Sequence, residues 1–336
     1  MKVVFNSREK EAACTIFYRD GFSHCKDIIL YDSERYSEYD VALFMTYKKD
    51  LEDLKEVKRR YPGIKTAIID PRGSWVAPYL PYADFLVVDS LEMKDFWAFA
   101  RKPIFEYVEY PDIGVLPKNH REKEKIVIGY HGNKIHLECM YERITPALEQ
   151  IAEKYDVEFW AMYNIADLGQ WNRLLPKKIK IRHIQWSKER YHDELAQVDI
   201  GINPCFIPVA SGILQKRKSL FRTKGKNMFN ESPDDYILRF KMPSNSGRII
   251  VWGLMGIPVV SDFIPSALRC IDDGEDGLLA YSSGGWYQAL ERLIVDHELR
   301  QSCADNMKKR IERRYDFRVQ NENFLKFLSQ IFPEGL

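Results

Sequence analysis

The sequence predicts an α/β protein built from two βαβ domains, each around a parallel sheet. Short apolar, β-rich runs alternate with amphipathic runs along the chain, the pattern of a parallel sheet with helical crossovers. The alternation stops once, at PDIGVLPKNHREKEK (111–125), where prolines, a glycine and a charge run read as a linker, and then restarts. A length of 336 residues suits two domains of ordinary size. The expected division is a first domain at 1–115, a linker at 116–125 and a second domain at 126–316. A long insertion falls at 205–240, and a closing segment at 317–336.

In the first half the expected strands are VVF (3–5), DIILY (27–31), DVALFM (40–45), KTAIID (65–70), DFLVVD (84–89) and FEYVEY (105–110). Between them, Leu51, Leu54 and Val57 recur with a helical period inside a charged run, and 91–100 reads likewise. The second half opens with KIVIGYHG (125–132), a buried strand ending in a polar glycine turn. A single long helix is expected over 137–155, from Leu137, Met140, Ile144, Ala147, Leu148 and Ile151. VEFWAM (157–162) and IKIRHI (179–184) are strands, 191–197 is helical, and VDIGINP (198–204) is a strand. The block 205–240 has no clear period, and loops that long inside a compact domain are usually functional or mobile. Beyond it, a Ser/Asn-rich turn opens a short apolar helix, and Gly256-Ile257-Pro258 leads into the strand IPVVS. A DDGEDG turn enters LLAY, and helices at 283–295, 297–314 and 317–331 close the chain.

Composition narrows the function. Hydrophobic residues make up 45% and charged residues 29%, as in soluble globular proteins. A net charge of +1 argues against whole-molecule attraction to nucleic acid. MKVVFNSREKEAAC lacks the apolar core of a signal peptide, and no run approaches the roughly 20 apolar residues of a spanning helix. The six cysteines are scattered and form no C-x-x-C pair, which argues against a zinc site or disulfide framework. The expected location is the cytoplasm, with the inner face of the membrane within reach.

In an open parallel sheet, ligands bind beyond the carboxyl ends of the strands. That rule selects Asp70 and Arg72, Asp89 and Ser90, and Tyr110 in the first half. In the second it selects His131, Gly132 and Asn133, then Gln185 and Trp186, then Asn203 and Pro204. Asp70, beside Arg72, is the leading candidate for a base on a substrate hydroxyl, followed by Asp89; each also suits a helix cap. His131 is a third polar candidate.

Backbone N–H groups at a helix start attract phosphate. GYHGNKIH (129–136) offers such a turn, with Gly132 permitting close approach and Lys134 and His136 adding charge. An ordinary βα turn has the same appearance. Lys241, Ser244, Asn245, Ser246 and Arg248 form a second cluster: a diphosphate cradle, or a capped helix flanked by two solvated cations. Asp234-Asp235 and Asp272-Asp273 read as solvated loops, so no metal ligand is assigned. Lys216, Arg217, Lys218, Phe221, Arg222, Lys224 and Lys226 suit anionic headgroups or a lipid-linked acceptor, or form a solvated loop.

From about 125 to 316 the chain resembles the C-terminal, donor-binding domain of GT-B glycosyltransferases, in the group containing retaining glycosyltransferase family 4. IGYHGN, YHDELAQVDIGINP, KMPSNSGR, WGLMGIPVVSD, DDGEDGLLAY, the Trp286 helix and DHELRQSCADNMKKRIERRYD follow in the family's order. The resemblance implies two Rossmann-like domains facing a cleft, with the C-terminal helix crossing back to the first. It implies a nucleotide-sugar donor, with Gly132, Asn133, Ser244, Asn245, Ser246 and Arg248 at its diphosphate. Lys134, His136 and Asn203 join that donor set, and Ile184 and Trp186 lie near the base. Lys241 and Arg248 would stabilise the leaving charge without a metal, and no cofactor is expected beyond the co-substrate. Asp70 and His131 complete the catalytic candidates, and Arg72, Asp89 and Ser90 stand on the acceptor side.

The implied reaction is metal-independent, retaining transfer to a glycan or lipid-linked acceptor in surface polysaccharide synthesis. Two departures stand against it. The family's spaced pair of glutamates falls on Pro243 and Val251, and the first strand is followed by no glycine-rich loop. A degenerate GT-B protein that binds without turnover, or a sugar-nucleotide epimerase, are the alternatives. A dehydrogenase is disfavoured because no G-x-G-x-x-G follows the first strand.

Overall fold

The computed structural model describes residues 1–208, 238–240 and 244–333. The chain divides into two compact units. One is Met1–Leu116 with Met242–Gly256 and Asp305–Leu336, and the other is Pro117–Lys241 with Ile257–Ala304. Residues 242–256, expected in the second domain, thus cluster with the first unit. Packing explains it: helix Gly247–Leu254 sets Gly253 so close to Met307 and Ile311 that a Cβ there would overlap both side chains. The Leu116 N–H also donates to Leu254 O at 2.7 Å.

The first unit is a six-stranded parallel sheet in the order β2-β1-β3-β4-β5-β6. Its strands are β1 (Val3–Asn6), β2 (Ile28–Leu30), β3 (Val41–Met45), β4 (Lys65–Ile69), β5 (Phe85–Val88) and β6 (Ile104–Glu106). Side chains alternate across a strand, so each register row feeds one of two apolar layers. Leu43 is paired with Ala67 and Ala67 with Phe85; with Val3, Phe5, Met45, Ile69 and Val87 they face one layer. Helix α1 (Ala13–Ser23) and the C-terminal helix Phe317–Ile331 cover it, through Tyr18, Phe22, Phe324 and Leu328. Val4, Ala42, Phe44, Ile68, Leu86 and Val88 face the opposite layer. There they meet Leu51, Leu54 and Val57 of α2 (Lys48–Arg60) and Met93 of α3 (Leu91–Phe96).

The C-terminal helix therefore packs on the first unit, and polar bonds lock it there. Gln320 accepts from the Val108 N–H at 2.7 Å and donates to Val108 O at 3.0 Å. Asn321 accepts from the Tyr107 hydroxyl at 2.9 Å and donates to Gly21 O at 2.9 Å.

The second unit repeats the plan in the order β14-β13-β10-β7-β8-β9, again all parallel. These are β7 (Lys125–His131), β8 (Asp156–Tyr163), β9 (Lys180–Gln185), β10 (Ile200–Asn203), β13 (Val259–Asp262) and β14 (Leu278–Ala280). Its core joins Ile126, Ile128, Tyr130, Phe159 and Ile202 to Leu148, Ile151, Trp286 and Leu290.

Several expected elements differ. The helix expected over 137–155 is broken into α4 (Lys134–Glu138), a tight turn at Cys139–Glu142 and α5 (Ile144–Lys154). Arg143 sits at the break with φ −135° and ψ −52°, and its guanidinium is committed to Asp262. The last strand of the first half stops at Glu106 rather than Tyr110, because Val108 pairs with Gln320 instead of a neighbouring strand. Helix α1 had no counterpart in the sequence reading. Neither did the antiparallel pair β11 (Phe206–Pro208) and β12 (Leu238–Phe240) at the two ends of the 205–240 block. The basic segment 216–226, Asp234-Asp235 and Lys241 lie outside the described residues.

Candidate functional site

The carboxyl ends of β4, β5 and β6 bring together the densest group of buried charge described in the first unit. Asp70 follows β4, Asp89 follows β5, and Glu109 lies three residues beyond β6. All three are buried, with one carboxylate oxygen of each within 4.8 Å of the others. Arg72 runs among them. Its Nε donates to Asp70 Oδ2, and its Nη2 lies 3.0 Å from Glu109 Oε1 and 3.7 Å from Asp89 Oδ2. The Oδ1 atoms of Asp70 and Asp89 have no hydrogen-bond partner among the described residues. Asp70 holds φ at +54°, in the left-handed region that a non-glycine residue rarely adopts.

One guanidinium cannot fully compensate three buried carboxylates, so the group retains protons. Burial raises Asp70 well above its ordinary value, against the pull of Arg72 and with the help of Asp89 and Glu109. Asp89 is raised by the same burial. Glu109 is pushed up to about 7, again by burial first, with Arg72 pulling down and Asp89 pushing up. Ser90, the fourth residue expected here, caps α3 by accepting from the Met93 N–H at 3.1 Å. Tyr110 is core, edge-on to Phe317 at 5.7 Å.

The Ser244–Arg248 stretch belongs to this same unit. Asn245 donates to Asp89 Oδ2 at 2.7 Å and accepts from the Gly247 N–H at 3.1 Å. A Cβ on Gly247 would stand 3.2 Å from Glu109 Oε2. The helix start expected to cradle a diphosphate therefore already lies against two of the chain's own carboxylates. Ser244 and Ser246 are buried and Arg248 is half-buried. Asn245→Ala is expected to cost about 1.5–3 kcal/mol, the range for a hydrogen bond to a charged group, read by urea unfolding.

In the second unit the strand-end residues are engaged in local structure. Gly132 follows β7 at φ +140° and donates to Met162 O at 3.1 Å. Asn133 caps α4 by accepting from the Ile135 N–H at 3.0 Å, and Lys134 donates to Leu168 O. His131 is half-buried at the end of β7, and His136 is buried in α4. Ile184 is buried in β9; Trp186, half-buried just after it, stacks on Tyr191 at 6.3 Å. Asn203 is fully buried and donates to Ser261 Oγ at 2.8 Å.

Beside Asn203 lies a network that sequence reading missed. Asp262, at the end of β13, accepts from Arg143 Nη1 at 2.7 Å and Nη2 at 3.0 Å. It also accepts from the N–H groups of Cys205 at 2.7 Å and Phe206 at 3.1 Å, and from Trp286 Nε1 at 3.1 Å. The Arg143 guanidinium lies 4.9 Å from the Phe206 ring and 5.4 Å from Tyr281. Asp262 thereby fixes where the chain leaves β10 for β11.

Glu109 is absent from the strand-end candidates, because the run FEYVEY predicts strand through Tyr110 whereas the strand ends at Glu106. A carboxylate set among the buried Tyr107, Val108 and Tyr110 was the available signal.

No family model matches the chain, and no curated protein sequence matches it. Solved structures do. HepE (Alr3699) of Anabaena in complex with UDP superposes with a TM-score of 0.63 at 13% identity, covering 98% of this chain and 100% of that one. A glycosyltransferase of Rickettsia africae gives 0.58 at 12% identity, over 98% and 84%. A UDP-forming α,α-trehalose-phosphate synthase of Burkholderia xenovorans gives 0.53 at 12%, over 86% and 73%. The fold is that of the GT-B glycosyltransferases.

Proposed function

We propose that this protein transfers a sugar from a nucleotide-sugar donor to a glycan or lipid-linked acceptor, in surface polysaccharide synthesis as the family resemblance implies. The observation that carries the reading is the end-to-end likeness to HepE, whose structures hold UDP and UDP-glucose. Uridine nucleotides are accordingly the first donors to test. The second unit takes the donor, through Gly132, Asn133, Lys134, His136, Ile184, Trp186 and Asn203. Lys241 meets the departing diphosphate, and His131 stands near the reacting carbon. The first unit takes the acceptor at Asp70, Arg72, Asp89 and Glu109.

Transfer is proposed to be metal-independent. Arg72 already supplies positive charge to the carboxylate trio, so a cation entering there would displace its bonds. Activity is expected to survive EDTA treatment; a full loss restored by a divalent ion would overturn this part.

Retention of configuration follows from the resemblance. The buried position of Glu109 beside Asp89 and Arg72 favours the second reading, inversion: burial pushes its carboxyl up to about 7, where a base is well matched to neutral operation. In that reading Glu109 takes the proton from the acceptor hydroxyl as the hydroxyl attacks the anomeric carbon and the nucleoside diphosphate leaves. The transfer rate would then rise as pH passes about 7 and Glu109 ionises. The test is NMR of the first product formed from an α-linked UDP-sugar. An α product supports retention, a β product supports inversion and with it Glu109 as base, and no release of its nucleotide from any nucleotide sugar sinks both.

A further inference from the structure

We propose that a ridge formed by Phe96 and Phe99, flanked by Lys94, Arg101 and Lys102, docks the first unit on an anionic lipid surface. Phe96 and Phe99 are 41% and 63% exposed, a large apolar area to leave in water. Their rings are held outward by a scaffold. Trp97, fully buried between them in sequence, lies 5.1 Å from Phe96 and 5.5 Å from Phe99, and its Nε1 donates to Pro71 O at 2.7 Å. The ridge is thus ordered before it meets a partner, which lowers the entropy lost on docking.

The charge around it selects the partner. Lys94 and Arg101 are exposed and Lys102 is half-buried. None of them forms an ion pair among the described residues, whereas the exposed Arg8, Arg35 and Arg59 each do. Asp95 is the one acidic residue within 94–102. Aromatic rings beside unpaired cations match the boundary of a bilayer, with rings entering the acyl edge and cations meeting phosphates. A second copy packed symmetrically on this face would oppose like charges. Among the described residues no helix is long and apolar enough to cross a membrane, so contact through this ridge would be peripheral. Pro71 stands between Asp70 and Arg72, which anchors the ridge beside the carboxylate group. A lipid-linked acceptor bound at the surface would accordingly present its head group near that group; this last step rests on the proposed transfer, and the docking itself does not.

The test is co-sedimentation of the full chain with phosphatidylcholine vesicles, with and without phosphatidylglycerol. Binding is expected only with the anionic lipid and is expected to fall in high salt. F96S/F99S should lower the partition coefficient by about tenfold per ring. R101E/K102E should lower it by at least about fivefold per cation. Unchanged thermal unfolding of both variants would show that the fold is intact. Wild-type protein that ignores anionic vesicles would overturn the proposal. So would binding that survives both variants and is lost in K216E/R217E/K218E, or a dimer in solution that F96S/F99S dissolves while vesicle binding persists. UDP binding, measured on the same samples, reports separately on the donor reading.

Discussion

Asp262→Ala is expected to cost the protein about 3–5 kcal/mol of folding stability, the range for removing one partner of a buried ion pair. The substitution strands Arg143, which is itself buried, and leaves the N–H groups of Cys205 and Phe206 and the Trp286 indole without their acceptor. Those groups come from three separate stretches of the second unit, so the loss is not local. Asp262→Asn should cost less, because the amide oxygen still accepts while the charge is gone. Urea unfolding followed by tryptophan fluorescence reads both variants. A loss below about 1 kcal/mol for Asp262→Ala, typical of an exposed pair, would mean that the network does not hold this sheet edge.

The second large effect lies at Arg72. Arg72→Met leaves Asp70, Asp89 and Glu109 buried with no guanidinium, and a loss of about 3–5 kcal/mol is expected at pH 8. That loss should shrink toward pH 5, where the carboxyls take up protons and the charge to be compensated falls. Glu109→Gln should act in the opposite sense, and the sign follows from its shift. Its proton affinity is raised from 4.5 to about 7, so between those values the folded state binds more protons than the unfolded one. The associated stability is present below pH 4.5 and is lost as pH rises through 7. Glutamine never ionises, so Glu109→Gln should be more stable than wild type at pH 8, by an amount on the order of 3 kcal/mol, and no more stable at pH 4. Thermal unfolding from pH 4 to pH 9 checks this. A variant less stable than wild type at pH 8 would show that the Glu109 carboxylate is well compensated.

Strand ends were the legible part of this chain. Short apolar, β-rich runs located the strands of both parallel sheets. The rule that ligands gather at carboxyl ends then picked out Asp70, Arg72 and Asp89, which the fold brings together. What escaped depends on contacts distant in sequence. Arg143 meets Asp262 across 119 residues, and that bond breaks a helix whose apolar period looked continuous. Glu109 was hidden because Val108 pairs with Gln320, 212 residues away, and so ends the sixth strand early. Asn245 looked like a cap or a phosphate ligand from its neighbours alone; its bond to Asp89, 156 residues away, gives it a different partner. Local pattern reports which face a residue shows, and it is silent on which distant charge will meet it.

The measurement closest to the central claim is calorimetric titration of the full chain with UDP, GDP, CDP, dTDP and ADP, followed by the sugar conjugates of any that bind. A single site is expected for one nucleotide, with UDP the first expected, and binding should be retained in Asn245→Ala because that side chain serves Asp89. A ligand at about 100 times its dissociation constant would also raise stability by about 2.7 kcal/mol, an independent reading of the same event. Folded protein that binds none of the five nucleotides or their sugars would contradict the account, leaving a GT-B fold without a nucleotide-sugar donor.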